Sequence, residues 1–562
     1  MANGILHFAR RRPLGALLLI CIVAWLPGFF TLPPLDRDES RFAQATKQML
    51  ESRDFVEINL GGAPRYEKPV GIYWLQAAST AMFGSGARDS IWTYRVPSFL
   101  GALAAVAATY WLLRAFAGIE TAFFAGLILA LSALLMAEAK IAKTDAVLLA
   151  TVATAQAVIL RAYLSARAPA TCAAPRLPAV LLGWAAFGLG VLVKGPVIAL
   201  VCLAAIVAIL LWDRDWRWLG RLRPIPGIAV ALVIVAPWAI AIGVASHGLF
   251  YQKSLGQDFA MKLIGDQEAH GAPPGYYALL SHLIFWPGSL LLLPGIVTGV
   301  LRRREPAVRY LLAWAATTWL MFELAPTKLP HYVLPAFPAL AALSALWLTS
   351  AMREVSNGRS MSKAQRIAQT VSLALFVVVG LALAAFVVSA PQRFGMGTPR
   401  WLYAAAALAA IAVIAVIPLI VTRRFGAAMA MASLAALSLY ALAGFATVPR
   451  LTELWLSPRL ADAVARHAMS GDPPVVTAGY AEPSIAFLLG TQTALDDGEQ
   501  AGRATAKAGG LALVAQDQRG GFLKEIERAG ARAEALEDID GLNYSRGRET
   551  RITLYRVAPP AH

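Results

Sequence analysis

Long apolar stretches alternate with short polar segments through most of the chain. Each of thirteen stretches holds roughly 18 residues, enough for a helix to cross about 30 Å of hydrocarbon. The spacing predicts spans near residues 13–32, 94–113, 119–137, 146–164, 177–194, 196–212, 226–245, 283–301, 307–324, 332–350, 368–390, 401–421 and 427–446. The pattern therefore predicts a mostly α-helical membrane protein.

After Arg450 the pattern changes to short apolar runs that are interrupted by acidic and basic residues. Alternation and β-branched residues predict strands, and helical spacing predicts helices between them. The predicted strands are 474–477, 511–515 and 550–557, and the predicted helices are 459–467 and 522–529. We therefore divide the chain into a membrane domain, residues 1–449, and a small α/β domain, residues 450–562.

Two polar segments of the membrane domain, residues 35–92 and 246–282, are too long for simple connections between spans. In the first of them, Phe42, Ala45 and Met49 fall on one face of a predicted helix, with polar residues around the rest. This amphipathic pattern predicts helices that lie on the membrane surface at the mouth of the bundle.

Composition and charge agree with a membrane protein and set its orientation. Hydrophobic residues make up 58% of the chain and charged residues 15%, and the net charge is +16. The arginines cluster between alternate spans, beginning with Arg10, Arg11 and Arg12, so topology explains the excess charge and a nucleic-acid partner is not expected. The positive-inside rule then places the amino terminus in the cytoplasm and, after an odd number of spans, residues 450–562 in the periplasm. Three isolated cysteines give no disulfide framework.

Several short motifs fall on the predicted outer side. The chain reads Asp-Arg-Asp-Glu-Ser-Arg at 36–41, Tyr-Glu-Lys-Pro at 66–69, Tyr-Trp at 73–74 and Arg-Val-Pro at 95–97. This succession resembles the aminoarabinose (4-amino-4-deoxy-L-arabinose) lipid A transferases and their relatives among the GT-C glycosyltransferases. Further matches are Lys-Thr-Asp at 143–145, Val-Lys-Gly-Pro at 193–196, Glu-Ala-His at 268–270 and Lys-Leu-Pro-His-Tyr at 328–332.

The resemblance implies a GT-C fold of about thirteen transmembrane helices with periplasmic surface helices and a periplasmic tail. It also implies an inverting enzyme of the inner membrane that transfers 4-amino-4-deoxy-L-arabinose from undecaprenyl phosphate to a lipid A phosphate. Adding this cationic sugar would weaken the binding of cationic peptides such as polymyxin. The expected partners are the lipid-linked donor, the lipid acceptor and membrane lipids, and we expect a monomer.

Cations and carboxylates at one membrane face suit an enzyme that works on a lipid-linked sugar phosphate, because cations hold phosphate and a carboxylate can act at the sugar. Asp38 is the first choice for a carboxylate at the reaction centre and Asp145 the second, and Lys68 is expected to stabilise the leaving phosphate. A carboxylate would be a general base if the acceptor were a hydroxyl, and an orienting group if it were a phosphate. The residues expected to bind substrate or phosphate are Arg41, Lys194, Glu39, Tyr66, Lys328, Tyr332 and Tyr276.

A metal site is a further expectation from the resemblance. Glu67 lies beside Lys68, and His270 follows Glu268 by two residues. A carboxylate and an imidazole can hold Zn²⁺ with water or substrate completing the shell. We therefore expect Glu67 and His270 to be zinc ligands, with a hydrogen-bonded loop histidine as the alternative for His270. No organic cofactor is expected.

Two other functions fit part of the pattern. A related enzyme could move a hexose, hexosamine or uronic acid onto lipopolysaccharide, a polymer or a protein. A flippase for lipid-linked sugars would also need many spans, but it would keep polar groups near the bilayer midplane. The one-sided cluster and the scarcity of charges within spans favour the transferase.

Overall fold

The fold was analysed in a computed structural model that describes residues 11–259, 272–358 and 360–560. The helices of the membrane domain are α1 (Pro13–Trp25), α2 (Asp38–Ser52), α3 (Gly71–Phe83), α4 (Ile91–Leu113), α5 (Ile119–Leu131), α6 (Ala133–Glu138), α7 (Asp145–Arg167), α8 (Leu177–Lys194), α9 (Val197–Asp213), α10 (Pro224–Ala245), α11 (Tyr276–Ile284), α12 (Ser289–Leu301), α13 (Pro306–Leu324), α14 (Phe337–Ser356), α15 (Lys363–Phe394), α16 (Arg400–Ile414), α17 (Val416–Val421) and α18 (Phe425–Leu442). A three-residue α-helix lies at Leu249–Tyr251, and short turns of other helical types lie at Arg217–Leu222, Gln252–Phe259, Pro330–Ala336, Ala443–Thr447 and Val448–Arg450.

Each of the thirteen predicted spans overlaps one or two of these helices, so the predicted fold class is confirmed. Eight helical segments in the described parts of the chain are long and apolar enough to cross a membrane. Four shorter apolar helices, α1, α5, α9 and α12, coincide with further predicted spans. The number of helices that cross the membrane therefore stays a prediction.

Small residues let the helices that carry the candidate site pack closely. A Cβ atom added to Gly101 on α4 would lie 2.9 Å from the Cα atom of Val147 on α7. Such close approach of backbones is the usual way for membrane helices to gain packing energy, since lipid is as apolar as their side chains. The start of α7, which carries Asp145, is thereby fixed against α4.

The carboxyl-terminal domain contains helices α19 (Leu456–His467), α20 (Pro483–Leu489), α21 (Gly498–Ala508) and α22 (Arg519–Arg528). Its strands are β3 (Val476–Ala478), β4 (Ala494–Asp496), β5 (Gly510–Ala515), β6 (Arg532–Asn543) and β7 (Arg548–Ala558). Earlier in the chain, β1 (Asn59–Leu60) and β2 (Ala63–Pro64) form a small hairpin in residues 35–92, which we call the first outer loop after its predicted side.

The five strands of this domain form a mixed sheet in the order β4-β3-β5-β7-β6. Strand β3 is parallel to both of its neighbours, whereas β7 is antiparallel to β5 and β6. Leu511 and Leu513 of β5 pack on the core below α19, and Ala512 and Val514 pack on the core below α21 and α22. Helices therefore cover both faces of the sheet, which confirms the predicted α/β character.

Helix α2 of the first outer loop packs against the carboxyl-terminal domain. Its amphipathic pattern predicted a helix on the membrane surface, yet Gln44 and Lys47 of its polar face are buried. The Lys47 ammonium donates to the carbonyl oxygen of Phe487 at 3.0 Å, and the Gln44 amide donates to the Thr491 hydroxyl at 2.9 Å. The carboxyl-terminal domain, and not water, therefore covers this part of the polar face of α2, and the position of the helix at the membrane surface stays a prediction.

Candidate active site

The centre of the site is a buried pair between the ends of two helices. Asp145 is the first residue of α7, and Lys194 is the last residue of α8. The Lys194 ammonium lies 2.5 Å from Oδ1 of Asp145, and both side chains are almost fully buried. Helix α8 stops here because Gly195 adopts a φ of +63°, which favours glycine. An anion at a helix start and a cation at a helix end also suit the helix dipoles.

Lys143 and His331 extend this pair into a network. The Lys143 ammonium lies 2.9 Å from Oε1 of Glu138, 3.7 Å from Oδ2 of Asp145 and 3.3 Å from Nδ1 of His331. Burial disfavours the Lys143 ammonium, but the carboxylates of Glu138, Asp145 and, more weakly, Asp38 raise its pKa above the usual value. Lys143 therefore stays charged inside the site.

Asp38, Arg41 and Glu67 lie in the first outer loop, on the more open side of this network. The Arg41 guanidinium is 3.9 Å from the Asp38 carboxylate, whose side chain is 52% exposed. Arg65 is nearly buried, and its guanidinium lies 3.0 Å from Oε2 of Glu67. Asp38 lies within electrostatic range of both Arg65 and Lys143, so this part of the outer loop lies near the Asp145 network.

Lys68 and Tyr332 also lie at this network. The Lys68 ammonium lies within electrostatic range of His331, which is partly buried. The Lys194 ammonium lies 5.6 Å from the centre of the Tyr332 ring, a cation–π distance. The structure thus brings Lys68, Asp145, Lys194 and Tyr332 together, as the sequence predicts.

Glu39 has a different place from the one predicted. Its carboxylate is fully buried and receives two hydrogen bonds of 2.8 Å from Arg95. It also accepts the backbone N–H groups of Leu35 and Ala142 at 2.9 Å and 2.8 Å. With four donors on two oxygens, Glu39 fixes the outer loop to α4 and to the segment before α7, and its side chain has no surface exposed to a substrate. We therefore correct its role from substrate binding to positioning.

Tyr66, Lys328 and Tyr276 have no described hydrogen bond to the network. The Tyr66 hydroxyl donates to Glu57, and the Lys328 ammonium donates to the carbonyl oxygen of Ala272 at 2.9 Å. Tyr276 stacks edge-on against Tyr277, 5.0 Å between ring centres. Their substrate-binding roles stay predictions.

Of the two predicted zinc ligands, the structure describes Glu67 but not His270. The Glu67 carboxylate is held by Arg65, and His270 lies outside the described residues, as does Glu268. Among the residues that the structure describes, no group of three or more histidine, cysteine, aspartate or glutamate side chains could hold a metal ion. The described residues alone do not form a zinc site, and no step of the reaction below depends on a metal.

Sequence reasoning did not select five residues that build the site: Arg65, Arg95, Glu138, Lys143 and His331. Arg95, Lys143 and His331 stand inside the quoted motifs, and Arg65 directly precedes Tyr66, so the motifs carried a signal for four of them. Glu138 is a single acid at the end of an apolar run, a position typical of an interfacial residue. Its contact with Lys143 is visible only in the fold.

Several known proteins resemble this chain in sequence. Residues 67–240 match the family described as dolichyl-phosphate-mannose-protein mannosyltransferase. The chain is 29% identical over 390 residues to the undecaprenyl phosphate-alpha-4-amino-4-deoxy-L-arabinose arabinosyl transferase of Edwardsiella ictaluri, covering 68% of this chain and 67% of that protein. The enzymes of the same name from Pseudomonas paraeruginosa and Aeromonas salmonicida are 28% and 30% identical, over 62% and 58% of this chain. The match spans 62% and 60% of the length of these two relatives.

Solved structures give the same fold over nearly the whole chain. The crystal structure of ArnT from Cupriavidus metallidurans in the apo state has a TM-score of 0.75 at 19% identity and covers 98% of each chain. The structure of the same protein bound to undecaprenyl phosphate has a TM-score of 0.74 at 18% identity, covering 96% of this chain and 97% of that one. The resemblance predicted from the motifs is therefore confirmed: this is a multi-pass membrane protein related to the aminoarabinose arabinosyl transferases, with the fold of ArnT.

Proposed function

We propose that the chain is an inverting glycosyltransferase that moves 4-amino-4-deoxy-L-arabinose from undecaprenyl phosphate to a phosphate of lipid A. The observation that carries this proposal is the largely buried Lys143–Asp145–Lys194–His331 network, which has Lys68 of the outer loop within electrostatic range. The names of the relatives supply the donor and its sugar.

The cations of the site suit the leaving group. Breaking the bond between the anomeric carbon and the phosphate oxygen leaves undecaprenyl phosphate with one more negative charge. Preorganised ammonium and guanidinium groups stabilise such a charge most where water is excluded. Lys68 and Lys194 meet this need from two sides, because one lies on the outer loop and the other at the end of α8.

The two candidate carboxylates, Asp38 and Asp145, differ in solvent exposure and in their ion pairs. Asp145 is buried between Lys194 and Lys143, so its charge is used to hold these two ammonium groups in place. Asp38 is half-exposed and has one weak ion pair with Arg41. We therefore assign Asp38 to the reacting sugar and Asp145 to the orientation of the lysines.

In the proposed reaction a phosphate oxygen of lipid A attacks the anomeric carbon as the bond to undecaprenyl phosphate breaks. The attacking oxygen is already anionic at neutral pH, so no general base is required. Asp38 then stabilises the positive charge that develops on the sugar or pairs with the sugar amine. For a hydroxyl acceptor the same carboxylate would take the proton, with a contribution of about a hundred- to ten-thousand-fold.

The proposal places the site and the carboxyl-terminal domain in the periplasm, with the protein a monomer in the inner membrane. Support for the orientation comes from the arginine clusters, which lie between alternate spans on the opposite side. The consequence for the cell is a more cationic lipid A and weaker binding of polymyxin.

The test is mass spectrometry of lipid A from cells that carry the wild-type gene, no gene, Lys194→Met or Lys524→Met. Lys524 is an exposed lysine of α22 far from the network, and it serves as the matched control. We expect a mass increase of one aminopentose for the wild type and the control, and loss of most of it for Lys194→Met. A mass increase that corresponds to a hexose, hexosamine or uronic acid would replace the proposed donor by another sugar. No change in lipid A at all would reject the proposal.

A further inference from the structure

A polar cavity lies at the end of the bundle opposite the candidate active site. It measures about 190 Å³. Its walls come from the connection before α5, the end of α12, the start of α13 and the end of α14. By this measure one water needs about 15 Å³, so the cavity has room for a group much larger than water. It lies on the side of the arginine clusters, which is the predicted cytoplasmic side.

The lining of this cavity carries two guanidinium groups and one carboxylate, from Arg302, Arg353 and Glu305. Arg302 donates to both carboxylate oxygens of Glu305 at 2.8 Å and to the Ser350 hydroxyl at 3.2 Å. This ion pair neutralises one guanidinium and fixes it in place. The remaining charge of the cavity is the single positive charge of Arg353.

The guanidinium of Arg353 has hydrogen-bond donors that the described residues leave unused. Its side chain is exposed and forms no hydrogen bond or ion pair with the residues that the structure describes. It follows Ser350 by three residues on α14, so its side chain lies on the same face of the helix as the contact between Ser350 and Arg302. A guanidinium with five donors in a planar fork binds phosphate oxygens in pairs.

We propose that this cavity binds a phosphate group, held by Arg353 beside the Arg302–Glu305 pair. The group comes either from the headgroup of an anionic phospholipid in the inner leaflet or from free phosphate. Basic pockets between membrane helices on the cytoplasmic side suit anionic headgroups, which are concentrated at that surface. The binding site is separate from the candidate active site, and it does not depend on the proposed transfer reaction.

The first arm of the test is native mass spectrometry of the purified protein in neutral detergent with added phosphatidylglycerol. The variants are Arg353→Gln, Arg353→Lys and the control Arg424→Gln, which alters an exposed arginine at the start of α18 on the same predicted side. We expect the wild type and the control to retain one tightly held lipid. Arg353→Gln should retain it about tenfold less well, as loss of one charge-assisted contact predicts, and Arg353→Lys should fall between them.

The second arm replaces the lipid by inorganic phosphate and measures thermal unfolding at constant ionic strength, with chloride as the reference anion. Stabilisation of the wild type and Arg424→Gln, but not of Arg353→Gln, would assign the cavity to free phosphate. Lipid retention that depends on Arg353 would assign it to the headgroup. Equal lipid retention and equal phosphate response in the wild type and Arg353→Gln would overturn the proposal. Because Arg353 is exposed, circular dichroism is expected to show an unchanged fold in all variants.

Discussion

Replacing Asp38 by Asn tests the centre of the proposed mechanism. The exchange removes the charge and keeps the volume of the side chain. Its single ion pair in the described structure spans 3.9 Å to Arg41, with both side chains about half-exposed. Such a pair contributes about 0–1 kcal/mol to stability. The variant should therefore insert and fold like the wild type.

The effect of Asp38→Asn on transfer should be much larger. Loss of the carboxylate at the sugar is expected to slow transfer by about a hundredfold or more, a barrier increase of about 3 kcal/mol. Binding of bare undecaprenyl phosphate should stay unchanged or become tighter, because a negative neighbour of the phosphate is lost. Lys68→Ala should also lose most transfer, but it should weaken binding of the same lipid. The two variants thus separate a role at the sugar from a role at the phosphate.

Asp145→Asn is the matched comparison. Its carboxylate is buried between Lys194 and Lys143, so the exchange leaves buried positive charge with less compensation. Breaking a buried pair of this kind costs about 3–5 kcal/mol, and we expect a clear fall in the unfolding temperature. Purified variants are compared by thermal unfolding in detergent and by transfer to lipid A at matched protein level. Near-normal transfer by Asp38→Asn would place the reaction centre elsewhere, and unfolding of Asp38→Asn as early as Asp145→Asn would refute the reasoning from exposure.

Three further predictions concern topology, metal and pH. Alkaline phosphatase fused after His562 should be active, and an inactive fusion would mean that the span count is wrong by one. If Glu67 and His270 bind Zn²⁺, replacing either by Ala should remove most of the zinc found by elemental analysis, whereas unchanged zinc would leave His270 as a loop histidine. Burial raises the pKa of Asp36 to about 6 where Ser484 and the rest of the carboxyl-terminal domain cover it. Because the neutral form is favoured there, docking of the domain should weaken by up to about 3 kcal/mol as the pH rises from about 4 through 6. Hydrogen exchange of α20 should report this change, and Asp36→Asn should abolish the pH dependence and strengthen docking at neutral pH; an identical pH profile in the variant would contradict this account.

The spans could be predicted because a membrane imposes one requirement, an apolar helix of sufficient length, on each of them. Two strands of the carboxyl-terminal domain, β4 and β6, were not predicted from the hydrophobic pattern. Strands β4 and β6 form the two edges of the sheet, where one side lacks a partner strand and burial is less complete. Charged residues are common on edge strands, and β6 carries many of them, so it shows no clear alternation.

The sequence identified which residues form the site better than it identified their contacts with one another. Motifs located Asp38, Lys68, Asp145 and Lys194, because the resemblance fixed their positions one by one. Glu39 stands next to Asp38, and nothing in its neighbourhood shows that Arg95, 56 residues later, neutralises it in the interior. Contacts between distant segments decide whether a carboxylate serves the fold or the substrate.

Helix α2 contacts parts of the chain that are synthesised at very different times. Glu39 at the start of α2 accepts hydrogen bonds from Arg95 and from the N–H of Ala142. Lys47, further along the same helix, donates to the carbonyl oxygen of Phe487, which lies 440 residues later in the sequence. At a translation rate of about 5–20 residues per second, roughly 20–90 s separate the synthesis of these partners. The segments that contact Glu39 are therefore synthesised long before the domain that covers Lys47. We expect a nascent chain that lacks the last domain to hold the membrane helices in place while the polar face of α2 is still open to water, so that the site matures only in the final stage of biogenesis.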